Sequence, residues 1–160
     1  PLQGGDLAQA CHGGAGVLKI DRQDGNLEAI VDLFLKMDPA PFIAQAFLPA
    51  VAEGDKRILI VDGEPVGAIN RRPPQGAIRS NLVVGGKAEA TELSAREREI
   101  CAAIGPELKK RGLVFVGIDV IGGMMTEINV TSPTGARALK NLSGIDAVAK
   151  MWDVVEKRVR

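Results

Sequence analysis

Tyrosine is absent from this 160-residue chain, which carries one Trp and four Phe. With so few aromatic rings, branched aliphatic residues must supply most of the core within a 46% hydrophobic composition. That content supports one sizeable core and one domain. Net charge is absent too, because Lys plus Arg equals Asp plus Glu at 20 each. A general pull toward nucleic acid or an anionic membrane is thereby excluded, and any anion site must be local. The two cysteines, Cys11 and Cys101, are too few for a disulfide framework and carry no metal spacing, so reduced thiols in a cytoplasmic protein are expected. No apolar run approaches the ~18 residues of a membrane span, and no signal-peptide pattern opens the chain. An initiator methionine is missing before Pro1, from which a fragment is expected.

Hydrophobic spacing supplies the elements. Residues 1–16 are glycine-rich, and Val17 to Ile20 reads as a short strand. Leu27, Ile30, Val31, Phe34 and Leu35 mark an amphipathic helix, stopped by Pro39 and Pro41. Phe42 to Leu48 reads as an apolar strand closed by Pro49. Lys56–Val61 and Glu64–Asn70 flank Asp62-Gly63, a strong hairpin signal. Periodicity vanishes from Arg71 to Gly86. Ser94 to Glu97 is a capping box for a helix ending near Gly112, in which Pro106 predicts a kink or break. Leu113–Ile121 and Met125–Val130 read as strands around Gly122-Gly123. Ile145, Val148, Met151, Trp152, Val155 and Val159 form the stripe of a last helix. Helices alternating with hairpins indicate α+β.

The second hairpin carries the chemistry. Glu127 and Asn129 are two apart on a strand and share a face. Asp119 joins them only in one register. A two-residue Gly122-Gly123 turn would pair Asp119 with Thr126 and split the acids. A loop extended to Met124 pairs Asp119 with Glu127 and Gly117 with Asn129, and it collects Val116, Ile118, Ile128 and Val130 on the other face. That register keeps the apolar face clean and is the one expected. Opposed carboxylates repel, and a divalent cation relieves this. Oxygen-only donors suit Mg²⁺ or Mn²⁺, and an ion with few protein ligands implies a phosphate-bearing partner. A solvated polar face is the plain alternative.

Glu127-Ile-Asn-Val-Thr-Ser-Pro-Thr134 resembles the signature closing the magnesium site of bacterial glutathione synthetases. Gly54 to Pro65, Pro74 to Asn81 with Gly85-Gly86, and Gly112 to Asp119 resemble the same family in the same order, so the likeness runs from about His12 to the end. The resemblance implies an ATP-grasp fold of antiparallel sheets with flanking helices. It implies joining of γ-glutamylcysteine and glycine at the expense of ATP, through an acyl phosphate, with two metal ions. Under it Asp119, Glu127 and Asn129 hold metal, Gln45, Ala46, Phe47 and Leu48 read the adenine, and Asp55 lies by the ribose. Gly13, Gly14 and Gly16 belong to a loop over the phosphates, where glycine lets backbone N–H groups approach anions. His12 has no general-base constellation and reads as a loop residue.

Arg57, Arg71 and Arg79 are the anion candidates, since a guanidinium fork suits carboxylates and a transferring phosphoryl group. Arg57 and Arg79 are assigned to catalysis, and Arg71, Arg79, Asn81, Ser132 and Thr134 to the peptide substrate. A surface ion pair with Asp55 is the alternative for Arg57, and Arg72 is left out. The resemblance also implies a lysine-bearing strand and an amino-terminal substrate domain outside residues 1–160. These residues are then an ATP-grasp fragment, inactive alone, from a homo-oligomer, commonly a tetramer. Gln3 to Cys11 reads as an insertion relative to the family or as a poorly matching end. Rival readings are a D-alanine–D-alanine or ribosomal-modification type ligase, which shares the Asp…Glu-x-Asn hairpin, and a non-catalytic nucleotide-binding module.

Overall fold

In a computed structural model of the chain, which describes residues 5–9, 17–20, 23, 25–37, 42–75 and 86–160, Asp62 and Gly63 turn at φ 49° and 81°. Two successive positive values make the type I′ turn that matches strand twist. The turn joins β4 (Asp55–Val61) to β5 (Glu64–Arg72). With β6 (Lys87–Thr91), β7 (Phe115–Ile121) and β8 (Met124–Asn129) they form a five-stranded antiparallel sheet ordered β6-β5-β4-β7-β8. One face carries Ile58, Ile60, Ala68, Val116, Ile118 and Val120, buried with Ile100, Cys101 and Leu108 of α2 (Ala95–Lys110). The other buries Leu59 and Ile69 against Leu139 of α3 (Ala136–Ser143) and Ala147 of α4 (Ala147–Val159).

A smaller sheet, ordered β2-β1-β3, contains β1 (Gly5–Gln9), β2 (Val17–Ile20) and β3 (Phe42–Ala46). Helix α1 (Leu27–Met37) connects β2 to β3. Within the segment expected to be an insertion, Gly5–Gln9 pairs on both sides as the middle strand. Strand β3 ends at Ala46, two residues before the expected Leu48, and Pro49–Glu53 makes a 3-10 turn. Arg71 and Arg72, expected in an irregular stretch, end β5, while β6 and α3 are unforeseen, α3 being amphipathic but only eight residues long. No described helix is long and apolar enough to cross a membrane.

The capping box of α2 forms as expected. Ser94 Oγ accepts from Glu97 N–H at 3.3 Å, and Glu97 Oε2 accepts from Ser94 N–H at 2.7 Å and from Lys56 Nζ at 2.8 Å. Burial opposes ionisation of Glu97, but these donors win and hold it below the usual carboxylate range. The helix continues through Pro106 as one element. Burial, reinforced by Glu97, pushes the Cys101 thiol up to about 11, so this cysteine is an inert core residue. Cys11 and His12 lie outside the described residues.

The last helix differs from its expected form. Ile145 precedes it, and Asp146 caps it by accepting from Ala149 N–H at 3.0 Å. Val148, Trp152 and Val159 of the expected stripe are exposed. Amphipathic spacing reports an apolar face, not that these residues supply a surface to cover it.

A glycine contact fixes α2 against the β4–β5 turn. A Cβ on Gly105 would stand 2.4 Å from the Gly63 carbonyl oxygen. Alanine in a helix interior gains about 1 kcal/mol over glycine, but overpacking costs about 1–3 kcal/mol, and backbone cannot step aside as a flexible side chain can. Gly105→Ala is expected to lower stability by about 1–2 kcal/mol net. A urea midpoint at or above that of the unaltered protein would contradict this.

Candidate functional site

Two bulges decide which residues meet. In β4–β5, Ile60 pairs with Pro65 but Leu59 with Gly67, so Val66 is an extra residue. In β7–β8, Val120 pairs with Met125 but Asp119 with Glu127, so Thr126 is the extra one. Each bulge shifts the register by one and turns the residues beyond it to the other face. Arg71 thereby joins the face of Asp55 and Arg57, and Glu127 and Asn129 join that of Asp119. The pairing expected for Asp119–Glu127 and Gly117–Asn129 is present, but its cause is corrected. The turn is the two-residue Gly122-Gly123, with Ile121 opposite Met124, and the bulge supplies the odd residue. Thr126 Oγ1 donates to the Asp119 carbonyl at 3.3 Å.

The expected apolar face is only partly covered. Val116 and Ile118 are 0% exposed, whereas Ile128 and Val130 are 43% and 46% exposed. Strand β8 is the sheet edge, and the buried cluster under α2 takes its residues from β4, β5 and β7 but none from β8.

Across β4 and β7, Arg57 stands directly opposite Asp119. Its Nε and Nη2 donate to Asp119 Oδ1 at 2.5 Å and Oδ2 at 2.9 Å, a bidentate fork. Its Nη1 donates to the Thr134 carbonyl at 3.1 Å and to Thr134 Oγ1 at 3.4 Å. Arg71 Nη2 lies 2.9 Å from Asp119 Oδ1 and 2.5 Å from Asp55 Oδ2. Arg57, Arg71 and Asp119 are all buried, Asp55 and Asn129 half-buried, and Glu127, Ser132 and Thr134 exposed at the rim. Arg57 is thus no surface partner of Asp55, which binds Arg71 instead. Arg72 pairs with Glu89 in solvent, in keeping with its omission.

Burial works against ionised Asp119, yet the Arg57 hydrogen bond and the charges of both arginines hold it below the usual carboxylate range. Glu127 moves the opposite way. Burial, then the hydrogen bond and charge of Asp119, push it up, and Arg57 and Arg71 do not cancel them. One cluster of charges thus pushes the two acids of this hairpin in opposite directions.

The donor set fits a hard divalent cation. No group of three or more His, Cys, Asp or Glu capable of holding a metal occurs among the described residues; the set is two carboxylates and an amide, all oxygen donors. Asn129 Nδ2 is buried without a hydrogen-bond partner among the described residues. Turning that amide over offers its oxygen to the same space. A cation there would relieve the acid pair that raises Glu127.

Glu127 also sets a pH dependence. Below about pH 4 it is protonated whether folded or unfolded, and its contribution to stability is fully present. As pH rises through its raised folded value, the folded state must release a proton held by Asp119, so stability falls across that window. Glu127→Gln is expected to remove the fall, by less than about 1 kcal/mol because the side chain faces solvent. Thermal melting from pH 4 to 8 without metal checks this, and identical profiles for both proteins would count against it.

Gln45 and Ala46 end β3, with Phe47 and Leu48 just beyond, and the Lys19 ammonium sits 4.2 Å over the Phe47 ring. These residues belong to the smaller sheet and its exit rather than to the Arg57–Asp119 cluster. Gly13, Gly14, Gly16, Arg79 and Asn81 lie outside the described residues. The contact between Arg71 and Asp119 was not foreseen from sequence. Pro65 was its available signal, because proline inside an inner strand marks a bulge.

Residues 9–144 match the family described as prokaryotic glutathione synthetase, ATP-grasp domain. A glutathione synthetase of Rhodopseudomonas palustris is 57% identical over 147 residues, covering 92% of this chain and 47% of that protein. One of Parasynechococcus marenigrum is 59% identical over 129 residues, covering 81% and 42%. The chain spans about half the length of the curated relatives it matches. Among solved structures, D-cycloserine synthetase DcsG aligns with a TM-score of 0.72 at 17% identity, over 97% of this chain and 56% of that one. D-alanine–D-alanine ligase from Bacillus anthracis, complexed with ATP, aligns with 0.62 at 17% identity, over 96% and 51%. These likenesses confirm the expected ATP-grasp fold of antiparallel sheets with flanking helices. Family match and close relatives agree, and the chain belongs to the prokaryotic glutathione synthetase family through its ATP-grasp domain.

Proposed function

We propose that this chain is the ATP-grasp part of a longer ligase that joins γ-glutamylcysteine and glycine into glutathione, converting ATP to ADP and phosphate. The observation that carries the reading is the buried Arg57–Asp119–Arg71 cluster, in register with Glu127 and Asn129, within a chain whose curated relatives are glutathione synthetases. Asp119, Glu127 and Asn129 would hold Mg²⁺ or Mn²⁺, two ions being expected. When bound, these ions neutralise phosphate oxygens. Gly13, Gly14 and Gly16 are assigned to phosphate binding, Gln45 to Leu48 to the adenine edge, and Asp55 to the ribose. Arg71, Arg79, Asn81, Ser132 and Thr134 bind the peptide.

In this reading the terminal carboxylate of γ-glutamylcysteine attacks the γ-phosphorus of ATP, and ADP leaves with the pair of the broken P–O bond. The glycine amine then attacks the acyl carbon, loses a proton, and expels phosphate. Arg57 and Arg79 stabilise charge on the transferring group, so positioning and electrostatics provide the catalysis. Exclusion of water protects the acyl phosphate.

The test is ADP release by a polypeptide of the relatives' full length, given Mg-ATP and γ-glutamylcysteine with and without glycine. Release requiring both acceptors supports the reading. Release with D-alanine or another amine, but not with these, would transfer the site to a different ligase. Residues 1–160 alone are expected to turn over poorly, since the substrate domain and the lysine strand are proposed to lie outside them.

A further inference from the structure

We propose that Gly117 is a positioning residue for Arg57: lacking a side chain, it lets the guanidinium lie across β7 and grip Asp119 and Thr134 together. Gly117 precedes Asp119 by two residues on the same face and stands opposite Asn129. A Cβ there would lie 2.8 Å from Pro133 Cβ, 3.2 Å from Arg57 Cδ and 3.3 Å from Arg57 Nη1. The first distance is closer than carbon atoms approach in folded proteins, and the other two require Arg57 to move.

Neither neighbour has room to give. Pro133 is buried and follows Ser132, whose φ of 49° is a strained value for a residue bearing a side chain. Arg57 is 5% exposed, and its three nitrogens are committed to Asp119 and Thr134. Gly135 hems it from another side, since a Cβ there would stand 3.3 Å from Arg57 Cγ. Glycine inside a strand weakens it, and its presence marks a close approach by another group. Here the approaching group is the stem of Arg57 together with the proline of the 132–135 segment. Thr134, read from sequence as a substrate residue, is also the third anchor of that guanidinium.

The consequence for turnover rests on the ligase reading; the placement of Arg57 does not. The closing experiment therefore reads Arg57 directly, by hydrogen exchange of its Nε–H in ¹⁵N NMR spectra, assigned through its loss in Arg57→Lys. In the unaltered protein this proton is expected to exchange slowly. In Gly117→Ala it is expected to exchange at least about tenfold faster, with kcat down by about 10²-fold, as for a misplaced catalytic group, and KM for ATP nearly unchanged. Gly112→Ala is the control for plain destabilisation: its φ of +70° strains any side chain, yet no atom stands within 4 Å. Unchanged Arg57 exchange in Gly117→Ala, or equal acceleration in Gly112→Ala, would overturn the assignment. Should Gly117→Ala not fold, adding Pro133→Gly removes the 2.8 Å contact and leaves those to Arg57; slow exchange in a folded double variant would overturn it as well. Turnover is read in a polypeptide of the relatives' full length: if that releases no ADP with any acceptor, the ligase reading fails, and the exchange measurement still decides the role of Gly117.

Discussion

Asp119→Ala is expected to lower folding stability by about 3–5 kcal/mol, the range for removing one partner from a buried ion pair, and, in a polypeptide of the relatives' full length, to end the proposed ADP release. Two arginines converge on this carboxylate. Arg57 forks both oxygens, and Arg71 reaches Oδ1 at 2.9 Å. Without Asp119, Arg57 keeps only the Thr134 oxygens as hydrogen-bond partners among the described residues, and two guanidinium groups remain buried, Arg71 paired with Asp55 and Arg57 with no carboxylate in hydrogen-bond contact. Domains of this size are stable by about 5–15 kcal/mol, so the loss is a large fraction of the total. A urea midpoint lowered by about 2 M would accompany it. The sign of the pH effect follows from the depressed carboxyl. Its contribution is fully present above about pH 4 and is lost as pH falls through the lower folded value. The gap between Asp119→Ala and the unaltered protein should accordingly be widest near neutrality and close in strong acid. A constant gap down to pH 2 would show that the charge pair is not its source.

Why some of this site could be read from sequence and some could not has a physical answer in the bulges. Asp62-Gly63 and Gly122-Gly123 announce hairpins because their turns need positive φ at both positions. The alternation of Val116, Ile118 and Val120 announces a buried face. From turns alone, however, Asp55 would oppose Asn70, and Asp119 would oppose Thr126. One extra residue in each partner strand, Val66 and Thr126, corrects both registers. For β7–β8 the demand for a clean apolar face led to the right partners through the wrong device. The phase break between Met125 and Ile128 was the local sign of a bulge. For β4–β5 only Pro65 signals one, and periodicity alone leaves Arg71 outside the strand. Strand β1 is not legible in the sequence because Gly5–Gln9 alternates weakly and gains its place through two partner strands. Ile128, Val130 and Trp152 show the converse limit: apolar patterning was legible, but its exposure depends on which surfaces arrive to cover it.

The double replacement Arg57→Met with Asp119→Leu separates what this cluster does for folding from what it does for chemistry. Taking two charges out of water costs several kcal/mol per ion, and mutual attraction returns it only with excellent geometry. Exchanging a buried pair for apolar residues of similar volume is consequently often neutral or stabilising by about 1–4 kcal/mol. The stem of Arg57 already packs near Ile69 and Gly135, where an unbranched methionine can follow it. The double variant is expected to be more stable than Asp119→Ala by about 3 kcal/mol or more, because no guanidinium is stranded on β4 and only Arg71 must fall back on Asp55. Its ADP release is expected to stay at background, a loss of at least about 10³-fold, the scale of a missing charge-stabilising arginine. Recovered folding without turnover would mean that the ion cluster is kept for its action on substrate at the cost of stability. If the double variant were as unstable as the single one, the cluster would instead be a requirement of the fold, and the loss of turnover in Asp119→Ala would report unfolding. Denaturant midpoints and ADP release, measured on the same three proteins at the relatives' full length, decide between the two.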